Sequence, residues 1–164
     1  MSNNFNMCKN KIRKKYFFFI FLISVSLVFV GCNKKIENKN NNKILFELIS
    51  TSDSLFQKKQ YAQAIRCFNQ IIEIDSNIGK VYYQRGICYV KTDKFQKGIN
   101  DYLKCVELNY RVVDSYFRLG LSYELLFNYP NALHYYKKAY EMNPDDTISK
   151  KRIEYIETFQ KSLK

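Results

Sequence analysis

The segment YYQRGICY, from Tyr82 to Tyr89, returns as YFRLGLSY, from Tyr116 to Tyr123, 34 residues later. A fixed period of this length constrains the fold more than composition does. Each copy must be one supersecondary unit that buries its apolar face only against its neighbours. Extended in both directions, the period gives three ungapped blocks, 45–78, 79–112 and 113–146. Down the columns, Leu48, Tyr82 and Tyr116 align, as do Ser52, Gly86 and Gly120, then Leu55, Tyr89 and Tyr123. Further on come Tyr61, Phe95 and Tyr129; Ala64, Gly98 and Ala132; Phe68, Tyr102 and Tyr136; Ile71, Cys105 and Ala139.

The spacing inside each block is helical. Tyr116, Leu119, Gly120 and Tyr123 fall at i, i+3, i+4 and i+7, one helical face, and Ala132, Tyr136 and Ala139 repeat the pattern on a second helix. Between them, FNYPN supplies a break, with Asn128 as a cap and Pro130 in a first turn. Pro144 stops the second helix. Each block is therefore read as helix–turn–helix. The small column of Ser52, Gly86 and Gly120 is expected to face that of Ala64, Gly98 and Ala132, because two antiparallel backbones approach closely only where both lack bulk. The fold class expected is all-α, an α-solenoid of three such hairpins. Residues 147–164 are expected to cap it, with Ile148, Ile153, Ile156, Phe159 and Leu163 as the apolar stripe of a helix with a basic exterior.

Residues 45–146 resemble the tetratricopeptide repeat. Tyr116, Leu119, Gly120, Tyr123, Ala132, Tyr136 and Pro144 match that pattern in register. The middle copy departs from it at Arg85, Gly98 and Tyr110, and the first copy at Ser52 and Ser76. The resemblance implies a superhelix whose concave face is lined by the first helix of each repeat. That face would carry Phe46, Ile49, Asp53 and Phe56, then Tyr83, Ile87 and Lys91, then Phe117, Leu121 and Leu125. An apolar, aromatic groove of this kind suits capture of a protein segment, with self-association as a homodimer or ordinary internal packing as the alternatives. Some members of the family hold a chaperone C-terminal carboxylate in a Lys/Asn/Arg clamp. The positions implied here are Ile49, Asp53, Gln84, Asp114 and Arg118, of which only Arg118 suits a carboxylate.

The first 31 residues read as an address. Lys9, Lys11, Arg13, Lys14 and Lys15 precede the apolar run Tyr16 to Val30, which ends at Gly31-Cys32. As a helix this run would span about 22 Å, short of a ~30 Å hydrocarbon core. A cleaved segment is thus expected, with an uncleaved anchor as the alternative. VFVGC resembles the lipobox of bacterial lipoproteins, and the resemblance implies acylation of Cys32. Several acyl chains, each CH₂ contributing ~0.8 kcal/mol, would then hold the chain on the exported side of a membrane. Residues 32–44 follow as the lipidated cysteine and an Asn/Lys-rich tether, too polar to bury a core.

Catalytic chemistry is not expected, a hydrolase built on lysines or carboxylates being the alternative. The single histidine, His134, falls on the outer side of a second helix, and no set of ligands converges on a metal. Neither a Gly-rich phosphate loop nor a nucleophile elbow is present, so no cofactor is implied. A formal charge of +12 would suit nucleic acid, but an exported protein seldom meets it, and solvated lysine faces are expected instead. Cys88 and Cys105 take small helix-packing positions. Cys67 and Cys88 sit at similar height on adjacent helices, and spacing alone leaves a disulfide between them open.

Overall fold

The computed structural model describes residues 41–162. The segment read as a signal, Cys32, most of the expected tether and Leu163 lie outside them. The chain divides into two units, Met1–Ile44 and Leu45–Lys164. Of the first, the described residues 41–44 are helical. The second contains seven helices and no strand among its described residues: α1 (45–57), α2 (Tyr61–Ile74), α3 (Gly79–Lys91), α4 (Phe95–Glu107), α5 (Val112–Leu125), α6 (Tyr129–Met142) and α7 (Thr147–Ser162). From α2 onward each helix packs mainly on the helices before and after it in the chain. The arrangement is an all-α solenoid of helical hairpins, as the period requires.

The second-helix columns form the spine of the core. Ala64, Phe68, Ile71, Tyr102, Cys105, Ala132, Tyr136 and Ala139 are all buried. Three apolar clusters follow in chain order. The first holds Phe68, Ile71, Val81 and Cys88 with Leu48, Leu55 and Phe56 packed on it. The second joins Tyr82, Ile99, Tyr102, Cys105 and Leu119, and the third Ala132, Tyr136 and Ile156. Cys67, Cys88 and Cys105 are free thiols; burial, with Asp101 nearby, pushes Cys88 and Cys105 up to about 12.

Glycine in this unit provides space rather than conformational freedom, since no described glycine has a positive φ. A Cβ on Gly98 would lie 3.2 Å from the Gly86 carbonyl oxygen, so the two small columns do meet in the middle repeat. The tighter limit is aromatic. A Cβ on Gly86 would meet the Tyr102 ring at 2.7 Å, and one on Gly120 the Tyr136 ring at 2.6 Å. Gly79, which the column reading passes over, is closed the same way by Tyr110, whose Cβ is 2.4 Å from where its own would be.

The left-handed positions that glycine usually fills fall to other residues. Lys59, Asp93 and Phe127, spaced by the repeat period, have φ of 59°, 58° and 56°. At each, the next residue's N–H reaches back five residues: Gln60 to Leu55 (2.9 Å), Lys94 to Tyr89 (2.8 Å) and Asn128 to Tyr123 (2.9 Å). These are Schellman closures of α1, α3 and α5, satisfying carbonyls that a helix end leaves open. Asn128 then caps α6, accepting from the Asn131 N–H at 3.3 Å, with Pro130 in the first turn.

Helix α7 covers the last repeat with Ile156, which is fully buried, and with Ile153 and Phe159 partly so. Ile148, expected in that stripe, is instead 58% exposed. The cause is the helix start. Asp146 accepts from the N–H groups of Ile148 (3.0 Å) and Ser149 (3.3 Å), which turns buried Ser149 inward and Ile148 outward.

Candidate functional site

The expected groove face is made of positions on α1, α3 and α5 that lie beside the core columns. The apolar spacing of each first helix buries one side and leaves a second row: Phe46, Ile49, Asp53 and Phe56; Tyr83, Ile87 and Lys91; Phe117, Leu121 and Leu125. Their surroundings differ. Phe46 is 74% exposed and Leu125 42% exposed, while Lys91 also faces water. Ile49 and Phe56 pack partly on the first cluster, Ile87 on the second, and Phe117 and Leu121 on the third. Phe117 lies 5.5 Å from the Tyr136 ring.

Tyr83 is the exception. As a groove anchor it should present its ring to a partner, but it is only 5% exposed. Its ring packs edge-on to Tyr102 and Tyr110 at 6.1 and 6.0 Å. The guanidinium groups of Arg111 and Arg118 lie 4.8 and 4.9 Å from its centroid. Its hydroxyl donates to Asp114 and accepts from Arg118 Nε. Burial, followed by the hydrogen bond to Asp114, pushes the phenol up to about 12 against the opposing pull of Arg118. Tyr83 is therefore a neutral, internally satisfied strut and not a free anchor.

It belongs to a series of polar bridges between successive first helices. Asp53 on α1 accepts from Lys80 Nζ and Gln84 Nε2 on α3, each at 2.8 Å. Tyr83 on α3 joins Asp114 and Arg118 on α5, with Arg111 closing on Asp114 at 2.9 Å. Glu124 on α5 accepts from Arg152 on α7 at 3.1 Å and from Tyr136 Oη at 2.7 Å. The Asp53–Gln84 and Tyr83–Asp114 bridges both span 31 residues, the repeat period less about one helical turn. That offset is the signal by which the sequence shows them. The column reading missed Lys80, Arg111 and the bridging role of Asp114, because it aligns equivalent positions and these partners are not equivalent.

The clamp positions are likewise occupied. Arg118, the one residue suited to a carboxylate, is engaged by Tyr83 and by Asp114 at 3.7 Å, and Gln84 by Asp53. His134 is exposed on α6, beside the ring of Tyr135 at 5.0 Å. What the face offers is a rigid frame of bridged helices with apolar side chains standing between the bridges.

Comparison with known proteins agrees with this architecture. A search of curated proteins returned no match. Among solved structures, MamA is 20% identical, with 71% of this chain and 68% of MamA covered at a TM-score of 0.67. The first TPR of Spaghetti (RPAP3), bound to the HSP90 peptide SRMEEVD, is 20% identical over 72% of this chain and 94% of its own, with a TM-score of 0.65. The second TPR domain of human RPAP3, in complex with the HSP70 peptide SGPTIEEVD, is 16% identical over 71% and 98%, with a TM-score of 0.64. These likenesses concern the fold. Family models described as tetratricopeptide repeat match residues 52–78, 79–111 and 113–146, more than half of the sequence, and the chain belongs to the tetratricopeptide-repeat family.

Proposed function

We propose that this chain is a non-catalytic adaptor that captures a segment of a partner protein on its first-helix face, held by lipid on Cys32 at the exported side of a bacterial membrane. One observation carries the binding part: apolar side chains remain uncovered on a face where Asp53, Gln84, Tyr83, Asp114 and Arg118 are already paired with one another. Phe46 and Leu125 stand in water, and Ile87, Phe117 and Leu121 are half covered, between bridges that hold α1, α3 and α5 in place. A rigid frame with apolar gaps loses little entropy when a segment is laid on it. Capture of a segment is supported by the RPAP3 domains of this fold, which were solved with an HSP90 and an HSP70 peptide. Their peptides end in EEVD. Asp53 and Asp114 on the present face, with Arg118 already engaged, favour a segment recognised by aliphatic or aromatic anchors over an acidic terminus.

The anchoring part rests on the first 32 residues, where a basic stretch, an apolar run and Gly31-Cys32 follow in the order of a lipoprotein signal. The test is crosslinked capture from intact membranes. Phe46→Ala with Leu121→Ala should lose the wild-type partners, because a few well-packed anchors carry most of an interface's energy. His134→Ala, on the outer side, should keep them. A folded double variant that retrieves every partner overturns the reading. A wild-type dimer that the double variant turns to monomer, seen by light scattering, assigns the face to self-association instead.

A further inference from the structure

Sequential helices joined by short turns run antiparallel, so the three turns inside the hairpins share one edge of the second unit. Those turns read Gln57-Lys58-Lys59-Gln60, Lys91-Thr92-Asp93-Lys94 and Leu125-Leu126-Phe127-Asn128. The last turn of α7 joins the same edge, its Phe159 ring lying 5.3 Å from that of Tyr129. Lys58, Lys59, Lys91, Lys94, Lys97 and Lys161 are all exposed there, against exposed Asp93. No ion pair among the described residues involves any of the six. The turns of the opposite edge carry Asp75, Asp145 and Asp146 beside Arg111, with Lys150 and Lys151 following in α7. The excess of exposed, unpaired positive charge thus lies on the hairpin-turn edge.

The same edge carries an apolar tip. Phe127 is 78% exposed, and Leu125 and Leu126 are 42% exposed each. Phe127 also sits at φ 56°, a left-handed position that Asn or Gly adopts readily and a bulky side chain does not. At the same place in the other repeats stand Lys59 and Asp93. The backbone there closes α5, but the ring, standing in water, packs on nothing inside the molecule.

We propose that this edge docks on an anionic membrane surface, Leu126 and Phe127 entering the boundary between headgroups and acyl chains while the lysines lie over the headgroups. Apolar insertion beside unpaired basic charge is the combination that anionic bilayers bind. The inference deepens the preceding reading and rests on it only for the presence of a membrane. It adds an orientation, with the hairpin-turn edge down and the first-helix face turned sideways, open to a partner.

The chain contains no Trp, so Phe127→Trp places a single indole at the tip of the full chain. Reconstituted in vesicles containing phosphatidylglycerol, this variant should show blue-shifted emission quenched by brominated acyl chains. Leu126→Trp should behave alike. Met142→Trp, 55% exposed at the end of α6 on the opposite edge, should remain unquenched. Phosphatidylcholine alone, high salt, or Lys→Gln at 58, 59, 91 and 94 should release the tip, each lysine changing docking by roughly fivefold. Unquenched emission from both tip variants, or equal quenching at Met142→Trp, overturns the proposal. A blue shift that needs an added protein and not lipid overturns it in favour of a protein dock. Fatty-acid labelling of Cys32, read separately, distinguishes failure of the anchor from failure of the edge.

Discussion

The guanidinium of Arg85 lies fork to fork on the carboxylate of Asp101, with Nη2–Oδ1 at 2.6 Å and Nε–Oδ2 at 2.9 Å, and with 15% and 5% of the two side chains exposed. A third bond runs from Arg85 to Asn69 on the preceding repeat, at 2.8 Å. In the last repeat the equivalent pair is Leu119 and Tyr135, and in the first it is Thr51 and Cys67. The middle hairpin therefore differs from its neighbours by one buried ion pair, and this accounts for Arg85 where the family pattern has an apolar residue.

Removing one partner leaves the other charge buried without compensation. Asp101→Ala should lower stability by about 3–5 kcal/mol, while Arg85→Leu with Asp101→Leu should be near neutral or stabilising. Urea denaturation of the two variants checks the contrast. Equal losses in both would show that the site needs the pair for packing as well as for charge.

Gly120 carries the weight of the third hairpin, because the Tyr136 ring fills the space of a side chain. Gly120→Leu should cost about 1–3 kcal/mol or more through overpacking. Deleting 147–164 should also destabilise, since Ile156 is then lost from the third cluster. Thermal melting followed by helical circular dichroism reads both. Unchanged melting of either variant contradicts the packing described.

Tyr83 makes stability depend on alkaline pH. Its folded phenol is raised from 10.0 to about 12, by burial first and Asp114 second. The native state therefore holds the proton more tightly than the unfolded chain does. That contribution is fully present below pH 10 and is lost as pH rises through about 12. Burial shifts Tyr102 and Tyr136 in the same direction. Tyr83→Phe should cost roughly 1.5–3 kcal/mol near neutrality through its bonds to charged groups, and should flatten the alkaline decline. Denaturation curves at a series of pH values test the sign.

Cys32→Ser should abolish acylation and leave an unprocessed or unlipidated chain. Metabolic labelling with a fatty-acid analogue measures this directly. Equal labelling of wild type and variant excludes Cys32 as the lipid site.

Much of the fold was legible because a repeat writes its packing three times. Any column that stays small or apolar in all three copies, such as Ala64, Gly98 and Ala132, must face the interior, whatever the neighbouring loops do. Equivalence fails where one copy is unlike the others, as at Arg85 and Asp101, or where contacts join different columns, as at Tyr83 and Asp114. The face of the first helices was legible as a set of positions, but not which side chains stay open. Tyr83 shares a column with Ile49 and Phe117, and only it is closed over, by Arg111 at the turn into α5 and by Arg118 on α5.

Periodicity by itself determined the helical hairpins, their number and the buried columns, since these follow from the 3.6-residue turn repeated at a constant offset. Tertiary structure alone decided that Phe127 stands strained in water, that Ile148 turns out and Ser149 in, and that the first helices are tied by polar bridges. The first two turn on which hydrogen bonds close a helix end, at Asn128 and at Asp146, and the third on how one hairpin is laid against the next. Such contacts are geometric: a repeat pattern lines up equivalent positions, whereas these bonds join positions that are not equivalent, and only the folded chain brings them within reach.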